Sequence, residues 1–324
     1  MRRTLNSILL FCAISFVFAG CARQSSSEGQ KRIAGIVFQE DQFFRLVQFG
    51  MRDAASKNGI QLLEANSDNK LDKEIQLINT YISTGVDAIV ISPLSHKASI
   101  SALQRARDRG ITVITYNNGL DSDIPAAFVE SDQTALGRST GKAAREYIEK
   151  KMGGKAKIAI LAFLSITPEI SMMRVGGFKE EISKLPGVTI VSEQDAWLPE
   201  MAVKRAGDIL TANPDLQMFF AANEGGTIGA VMAVKNAGMA GKTVVFGTDS
   251  GEQIADFLLD GDNVLQAVTS QQPFEIGATA VEFALKTLKG EPVQKSLSLP
   301  GILLTRDDPD AVRAFKARLI ALSR

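Results

Sequence analysis

Polar and aromatic side chains stand just behind short apolar runs along this 324-residue chain, and their types fix the chemistry on offer. Asp41, Phe43 and Phe44 follow the run at 33–38, Asn66 and Asp68 the run at 61–65, Ser92 the run at 88–91, and Asn117 and Asn118 the run at 112–116. Further along come Thr167, Ser171 and Arg174, then Asp195 and Trp197, then Asn223 and Glu224, then Asp249, and finally Gln271. A hydroxyl donates once and accepts twice, so amides and carboxylates meet it in pairs, while aromatic planes cover the C–H faces of a saturated ring. The set therefore suits a small polyhydroxylated ligand, with Asp41, Phe43, Phe44, Asn117, Arg174, Trp197, Asn223, Asp249 and Gln271 as candidate binding residues.

Each has a plainer reading. Loop Asn, Asp and Ser commonly cap helices or form turns, which applies to Asn66, Ser92 and Asp195. Phe43 and Phe44 could be core residues of a first helix, and Trp197 could pack a surface loop. Arg174 reads as lying near a helix start, the unfavourable end of the dipole for a cation, which favours a ligand or carboxylate partner for it.

Catalysis has little to work with. His96 is the single histidine, read as solvent-facing at a helix start, so His-based triads and clustered imidazole metal sites are excluded. No nucleophile elbow, phosphate-binding loop or dinucleotide fingerprint occurs, and no cofactor or metal is expected. Asp249 and Glu224 could form a glycosidase-like acid pair, but nothing prefers that over hydroxyl binding.

These residues need a frame, and the periodicity supplies it. From Arg32, apolar runs alternate with amphipathic stretches at 43–59, 71–84 and 97–109, and a loop follows the fourth run. Short apolar runs with Gly, Asn, Asp or Ser between them read as buried parallel strands, and stretches with apolar residues three and four apart read as covering helices. The pattern restarts with runs at 157–162, 188–192, 216–222 and 243–247 and helices at 172–185, 201–213, 227–237 and 253–259. Gly50-Met51 is answered by Gly177-Phe178, and Ile114-Thr115-Tyr116-Asn117 by Val245-Phe246-Gly247-Thr248-Asp249. The expected fold is α/β: two doubly wound parallel-sheet lobes joined by a multi-strand hinge. Lobe 1 is expected over 32–132 plus 272–299 and lobe 2 over 133–271 plus 300–324. The strand at 264–269 and the helix at 276–288 are expected to cross back towards the first lobe, and the tail from Gly301 to return to the second.

The first residues read as an export signal over 1–20: Arg2 and Arg3, an apolar run from Ile8 to Ala19, then small residues before Cys21. The apolar run is shorter than the roughly 20 residues of a spanning helix. Phe18-Ala19-Gly20-Cys21 resembles a bacterial lipoprotein signal, which makes Cys21 the lipidation site and 21–31 a polar tether. The second cysteine, Cys12, lies in the discarded segment, so no disulfide is expected. Without Arg2 and Arg3, 34 basic residues remain of 36 against 36 acidic ones, a net charge of about −2 that gives nucleic acid no purchase.

The whole pattern resembles the ribose-binding-protein branch of the periplasmic sugar-binding proteins, a fold shared with the effector domains of lactose-repressor-like regulators. The resemblance spans about 32–305 and is carried by Phe43-Phe44, Gly85-Val86-Asp87-Ala88-Ile89 with Ser92-Pro93, Ser171 to Phe178, Ala222-Asn223-Glu224, Gly247-Thr248-Asp249 and Gln271-Gln272-Pro273. It implies ring-sandwiching aromatics at Phe43, Phe44 and Trp197, a central arginine at Arg174, and hydroxyl-binding groups at Asn223, Asp249 and Gln271. Asp41 stands where the family commonly has Asn, and Asn117-Asn118 where many members carry Asp-Arg. The implied function is an extracytoplasmic lipoprotein, in the periplasm or at the cell surface, that captures a monosaccharide, ribose-like pentose or hexose, between closing lobes. It would deliver that sugar to ABC permease subunits and work as a monomer. The alternative is a sugar or furanose-signal sensor docking on a chemoreceptor or sensor kinase. A transcription regulator would need a helix-turn-helix before Ile33, where this chain has its export signal.

Overall fold

The computed structural model describes residues 30–322; the expected export signal, Cys21 and nearly all of the expected tether lie outside them. The first half runs β1 (Arg32–Val37), α1 (Gln42–Lys57), β2 (Gln61–Asn66), α2 (Leu71–Thr84), β3 (Ala88–Ile91), α3 (Ile100–Asp108), β4 (Thr112–Tyr116), β5 (Ala127–Ser131) and α4 (Gln133–Lys151). The second runs β6 (Lys155–Ala162), α5 (Pro168–Ile182), β7 (Gly187–Asp195), α6 (Pro199–Ala212), β8 (Met218–Ala221), α7 (Glu224–Asn236), β9 (Val244–Thr248), α8 (Glu252–Leu259), β10 (Leu265–Ser270) and α9 (Pro273–Leu288). The tail adds β11 (Ser296–Leu299), β12 (Ile302–Thr305) and α10 (Pro309–Leu322).

The strands form two six-stranded sheets in matching order, β11-β5-β4-β3-β1-β2 and β12-β10-β9-β8-β6-β7. Pairing is parallel throughout except for the antiparallel β10–β12 contact. Strands β3, β8 and β9 are buried along their whole length because helices cover both faces, which is why they read as unbroken apolar runs. Alternate residues feed opposite faces: Ile33 packs with Val47, Met51 and Tyr116, whereas Ala34 packs with Ile78, Leu103 and Val113. The second lobe repeats this, with Ile158, Ile160, Phe178 and Phe220 on one face and Ala159, Leu161, Phe219 and Val231 on the other.

The chain passes between the lobes three times: from β5 into α4, from β10 into α9, and from β11 into β12. The first two crossovers thereby each deliver a helix to the lobe the chain is entering. Helix α4 packs on α5, β9 and β10, and α9 packs on α1, β3, β4 and β5. The strand expected to cross back with this helix does not: β10 stays in the second sheet beside β9, and the crossing begins at Gln271. Its sequence is as apolar as a central strand's because it is one, flanked by β9 and β12. Strand β5 and helix α4 are elements the periodicity passed over, as are β11, β12 and α10 of the tail. Only alternate residues of β5 are fully buried, and the inner face of α4 interrupts Leu136 and Ile148 with Gly137, Thr140 and Gly141.

Those glycines set helix spacing. A Cβ on Gly137 would lie 1.9 Å from the Arg174 carbonyl oxygen, and one on Gly177 would lie 2.1 Å from that of Thr134. The other lobe has the same device, with Gly50 against the Phe274 carbonyl at 1.9 Å and Gly277 against that of Val47 at 2.0 Å. The Gly50/Gly177 echo in the sequence is thus one close helix crossing made twice.

Candidate ligand-binding site

Parallel strands of an open sheet point their carboxyl ends at a common edge, where ligands bind. All nine candidate residues line one cleft at that edge, between the two lobes.

Lobe 1 contributes the entry to α1 and the turn after β4. Asp41 caps α1, its Oδ1 accepting the Phe44 N–H at 2.9 Å and its Oδ2 accepting from the Gln39 amide. Burial raises the Asp41 carboxyl above its ordinary range, opposed by those two hydrogen bonds. The cap turns Phe43 and Phe44 inward. Their rings meet edge to face at 5.0 Å, and Phe44 lies 4.5 Å from Phe38. Both belong to the lobe 1 core and also line the cleft, so the two readings of this pair describe one arrangement. Asn117 has φ 57°, a left-handed conformation that Asn tolerates and most residues do not, and its Nδ2 donates to Ser92 Oγ at 3.2 Å.

Lobe 2 contributes a buried polar network. Arg174 is not at a helix start: α5 begins at Pro168, so the residue sits within the helix and the dipole argument does not apply. What holds it is a set of acceptors. Its Nε donates to Gln133 Oε1 at 2.8 Å, and its Nη1 donates to the Ala222 carbonyl at 2.9 Å and to Asp249 Oδ2 at 3.0 Å. Its guanidinium lies 5.3 Å from the Phe163 ring centre. Asp249, at φ 69°, ends β9 as Asn117 ends β4. Its Oδ1 accepts from Gln271 Nε2 at 2.7 Å, and its Oδ2 also accepts the Glu224 N–H at 3.2 Å. Asn223 caps α7 through the Gly226 N–H at 3.0 Å and donates to the Trp197 carbonyl at 2.9 Å, which fixes the loop bearing the indole. Trp197 is half-buried against the lobe 2 core and lines the cleft; it does not merely cover a surface.

Phe38, Gln39, Phe163, Ile166, Thr167, Ile170 and Glu224 complete the lining. Phe38 and Phe163 directly follow β1 and β6 in the two lobes, so the residue after each strand was the signal that could have found them. Glu224 is pushed well above the ordinary carboxylate range, first by burial and then by the charges of Asp41 and Asp249. The rest of the post-strand set lies elsewhere. Asn66 Oδ1 accepts the Asp68 N–H at 2.9 Å, and Asp195 Oδ1 accepts the Ser165 N–H at 3.2 Å, the turn-forming roles expected of such residues. Asn118 turns away to the Pro93 carbonyl at 2.6 Å and to His96 Nε2 at 2.5 Å. His96 is therefore half-buried on Asn118 and 3.5 Å from Asp121, before α3, and not a solvent-facing residue of the helix start.

The cavity that all nine candidates line measures about 60 Å³, and a neighbouring one of about 430 Å³ shares Gln39, Asp41, Trp197, Asn223 and Glu224 with it. Together they match small-molecule sites, which are on the order of 300–1,000 Å³. Among the described residues, no three His, Cys, Asp or Glu side chains come together so as to hold a metal ion.

Two lobes of this topology, with a polar cleft at the strand ends, define a solute receptor. The periplasmic binding protein domain model matches residues 36–292, and the chain belongs to that family of extracytoplasmic receptors, which bind solutes and are not enzymes. The ABC transporter periplasmic-binding protein YphF of Escherichia coli is 30% identical over 318 residues, covering 95% of this chain and 94% of that one. The ribose import binding protein RbsB of the same organism is 29% identical over 293 residues, covering 90% and 96%. An ABC transporter solute-binding protein of Actinobacillus succinogenes, crystallised with D-allose, superposes with a TM-score of 0.81 at 28% identity, covering 87% of this chain and all of that one.

Proposed function

We propose that the protein captures a monosaccharide in this cleft and presents it to the permease of an ABC importer. The observation that carries the reading is the convergence of Asp41, Asn117, Arg174, Asn223, Asp249 and Gln271 with Phe43, Phe44 and Trp197 around one cavity at the strand ends of both lobes. Aromatic faces would hold the ring, and the charged and amide groups would meet its hydroxyls. The two lobes, 32–132 plus 272–299 and 133–271 plus 300–324, act as rigid bodies turning about the three crossovers, and closure forms the surface the permease reads. A thermal-shift panel of pentoses, hexoses and polyols tests this. Ligand at 100 times its Kd adds about 2.7 kcal/mol of stability, a shift of several degrees; no response to any member would overturn the sugar reading.

Cys21 is the point of lipid attachment, and the polar segment to residue 31 spaces a monomeric receptor from the membrane. Its support is the sequence Phe18-Ala19-Gly20-Cys21 behind a basic and apolar leader. Metabolic labelling with a fatty acid should mark the protein and leave a Cys21→Ala variant unmarked; equal labelling of both would exclude the anchor.

A further inference from the structure

The charge of the cleft narrows the ligand class. Three carboxylates, Asp41, Glu224 and Asp249, line it against a single cation, Arg174, with no lysine or histidine. Arg174 is already committed to Gln133, Ala222 and Asp249, so it neutralises Asp249 and leaves the other two uncompensated. The neighbouring cavity adds Glu40 and no cation. Arg45, whose charge also acts on Asp41 and Glu224, is exposed and donates to Gln42.

The hydrogen-bond balance is independent of that charge count and points the same way. Gln271 is 4% exposed; its Nε2 is spent on Asp249, and its Oε1 has no partner. Glu224 Oε2 and Gln39 Oε1 are also buried without a partner. Gln39 Oε1 and Gln271 Oε1 can only accept, Glu224 Oε2 accepts when its carboxyl is ionised, and the three come from both lobes. A buried acceptor left unpaired costs about 1–3 kcal/mol, so the site calls for a ligand rich in donors. A metal ion does not fit, because these groups do not come together with ligating geometry.

We propose that the cleft is built for a polyhydroxylated amine, an amino sugar or amino cyclitol, whose ammonium group sits between Asp41 of lobe 1 and Glu224 of lobe 2. An ammonium supplies three donors and no acceptor, and it pairs with the ionised form of two carboxyls that burial otherwise pushes towards protonation. The inference rests on the reading of the cleft as a sugar site. It also sets the direction of pH dependence. Glu224 faces Asp41 and Arg45 from α1 and Asp249 from β9, and its carboxyl is raised by burial and by the two acids. Ionised Glu224 is what an ammonium needs, so the affinity for the amine should rise with pH through the Glu224 titration, whereas a neutral sugar served by protonated Glu224 would show the opposite slope.

The test is calorimetric titration of the purified protein with glucosamine, galactosamine, mannosamine and an amino-inositol, each beside its neutral parent and its N-acetyl derivative. We expect one amine to bind at least ten times tighter than its parent and its acetylated form, and to lose about tenfold or more in Glu224→Gln. Asp41→Asn, which keeps the cap on α1, should lose affinity similarly and guards against misfolding of the first variant. A neutral parent binding as tightly as its amine, or unchanged amine affinity in both folded variants, would overturn this inference and leave the sugar reading standing. No binding of amine or neutral member would remove both.

Discussion

Arg174 and Asp249 show how one pair of residues links stability to binding. Both are buried, joined at 3.0 Å, and each is held by further hydrogen bonds. A buried pair adds little net stability over apolar residues, but breaking it strands a charge at about 3–5 kcal/mol. Arg174→Ala should therefore lower the unfolding free energy by about that much in urea and abolish any ligand-induced thermal shift. Adding Asp249→Asn should recover part of the stability while binding stays lost, because the stranded charge is gone. Arg174→Lys should not rescue binding, since an ammonium cannot reach Gln133, Ala222 and Asp249 with one fixed fork. If the double variant is no more stable than the single one, stranded charge is not the cause.

At the scale of elements, the site depends on how closely α4 can approach α5. Helix α5 carries Arg174, and α4 starts with Gln133, which holds the Arg174 Nε. Gly137 and Gly177 permit backbone contact between these helices, and an added methyl would meet a carbonyl oxygen that cannot yield. Gly177→Ala should cost about 1–3 kcal/mol or more in chemical denaturation and weaken ligand binding by shifting Arg174. Gly176→Ala is the internal control. A Cβ there meets nothing within 4 Å, so it should leave stability unchanged or slightly improved. Equal behaviour of the two variants would show that the helix crossing is not the constraint.

The whole molecule works by the relation between its lobes. Gln42 opens α1 in lobe 1 and Gly251 precedes α8 in lobe 2, and a Cβ on Gly251 would lie 3.8 Å from that of Gln42, the usual separation in a disulfide. Gln42→Cys with Gly251→Cys should lock the lobes together under oxidising conditions, with a small displacement of the Glu224 side chain, which lies 2.9 Å from the new atom. Ligand association should slow by at least tenfold in the oxidised protein and return on reduction, measured by stopped-flow tryptophan fluorescence from Trp197. Undiminished association in the crosslinked form would mean that the ligand enters without lobe opening.

The sequence alone determined the two-lobed α/β plan, because strands buried on both faces must be apolar runs and helices that cover them must be amphipathic. It also pointed to the binding edge, because in such sheets the polar residues after the strands gather there, and the nine candidates are among the residues that line the cleft. Left-handed turns needed Asn or Asp at 117 and 249, and both are there to be read. Strand β5 and helix α4 were not legible, since a half-buried strand and a helix that packs through glycine carry weak periodicity. Only tertiary structure decided which post-strand residues face the cleft: Asn118 and Asp195 satisfy local backbone or side-chain partners, while Glu224 does not. The same holds for the fate of Arg174, because its partners come from three separate parts of the chain, and for the unpaired acceptors in the cleft, which arise when Gln39, Glu224 and Gln271 are brought together by folding. Charge balance and hydrogen-bond satisfaction are sums over neighbours in space, and those neighbours exist only after folding.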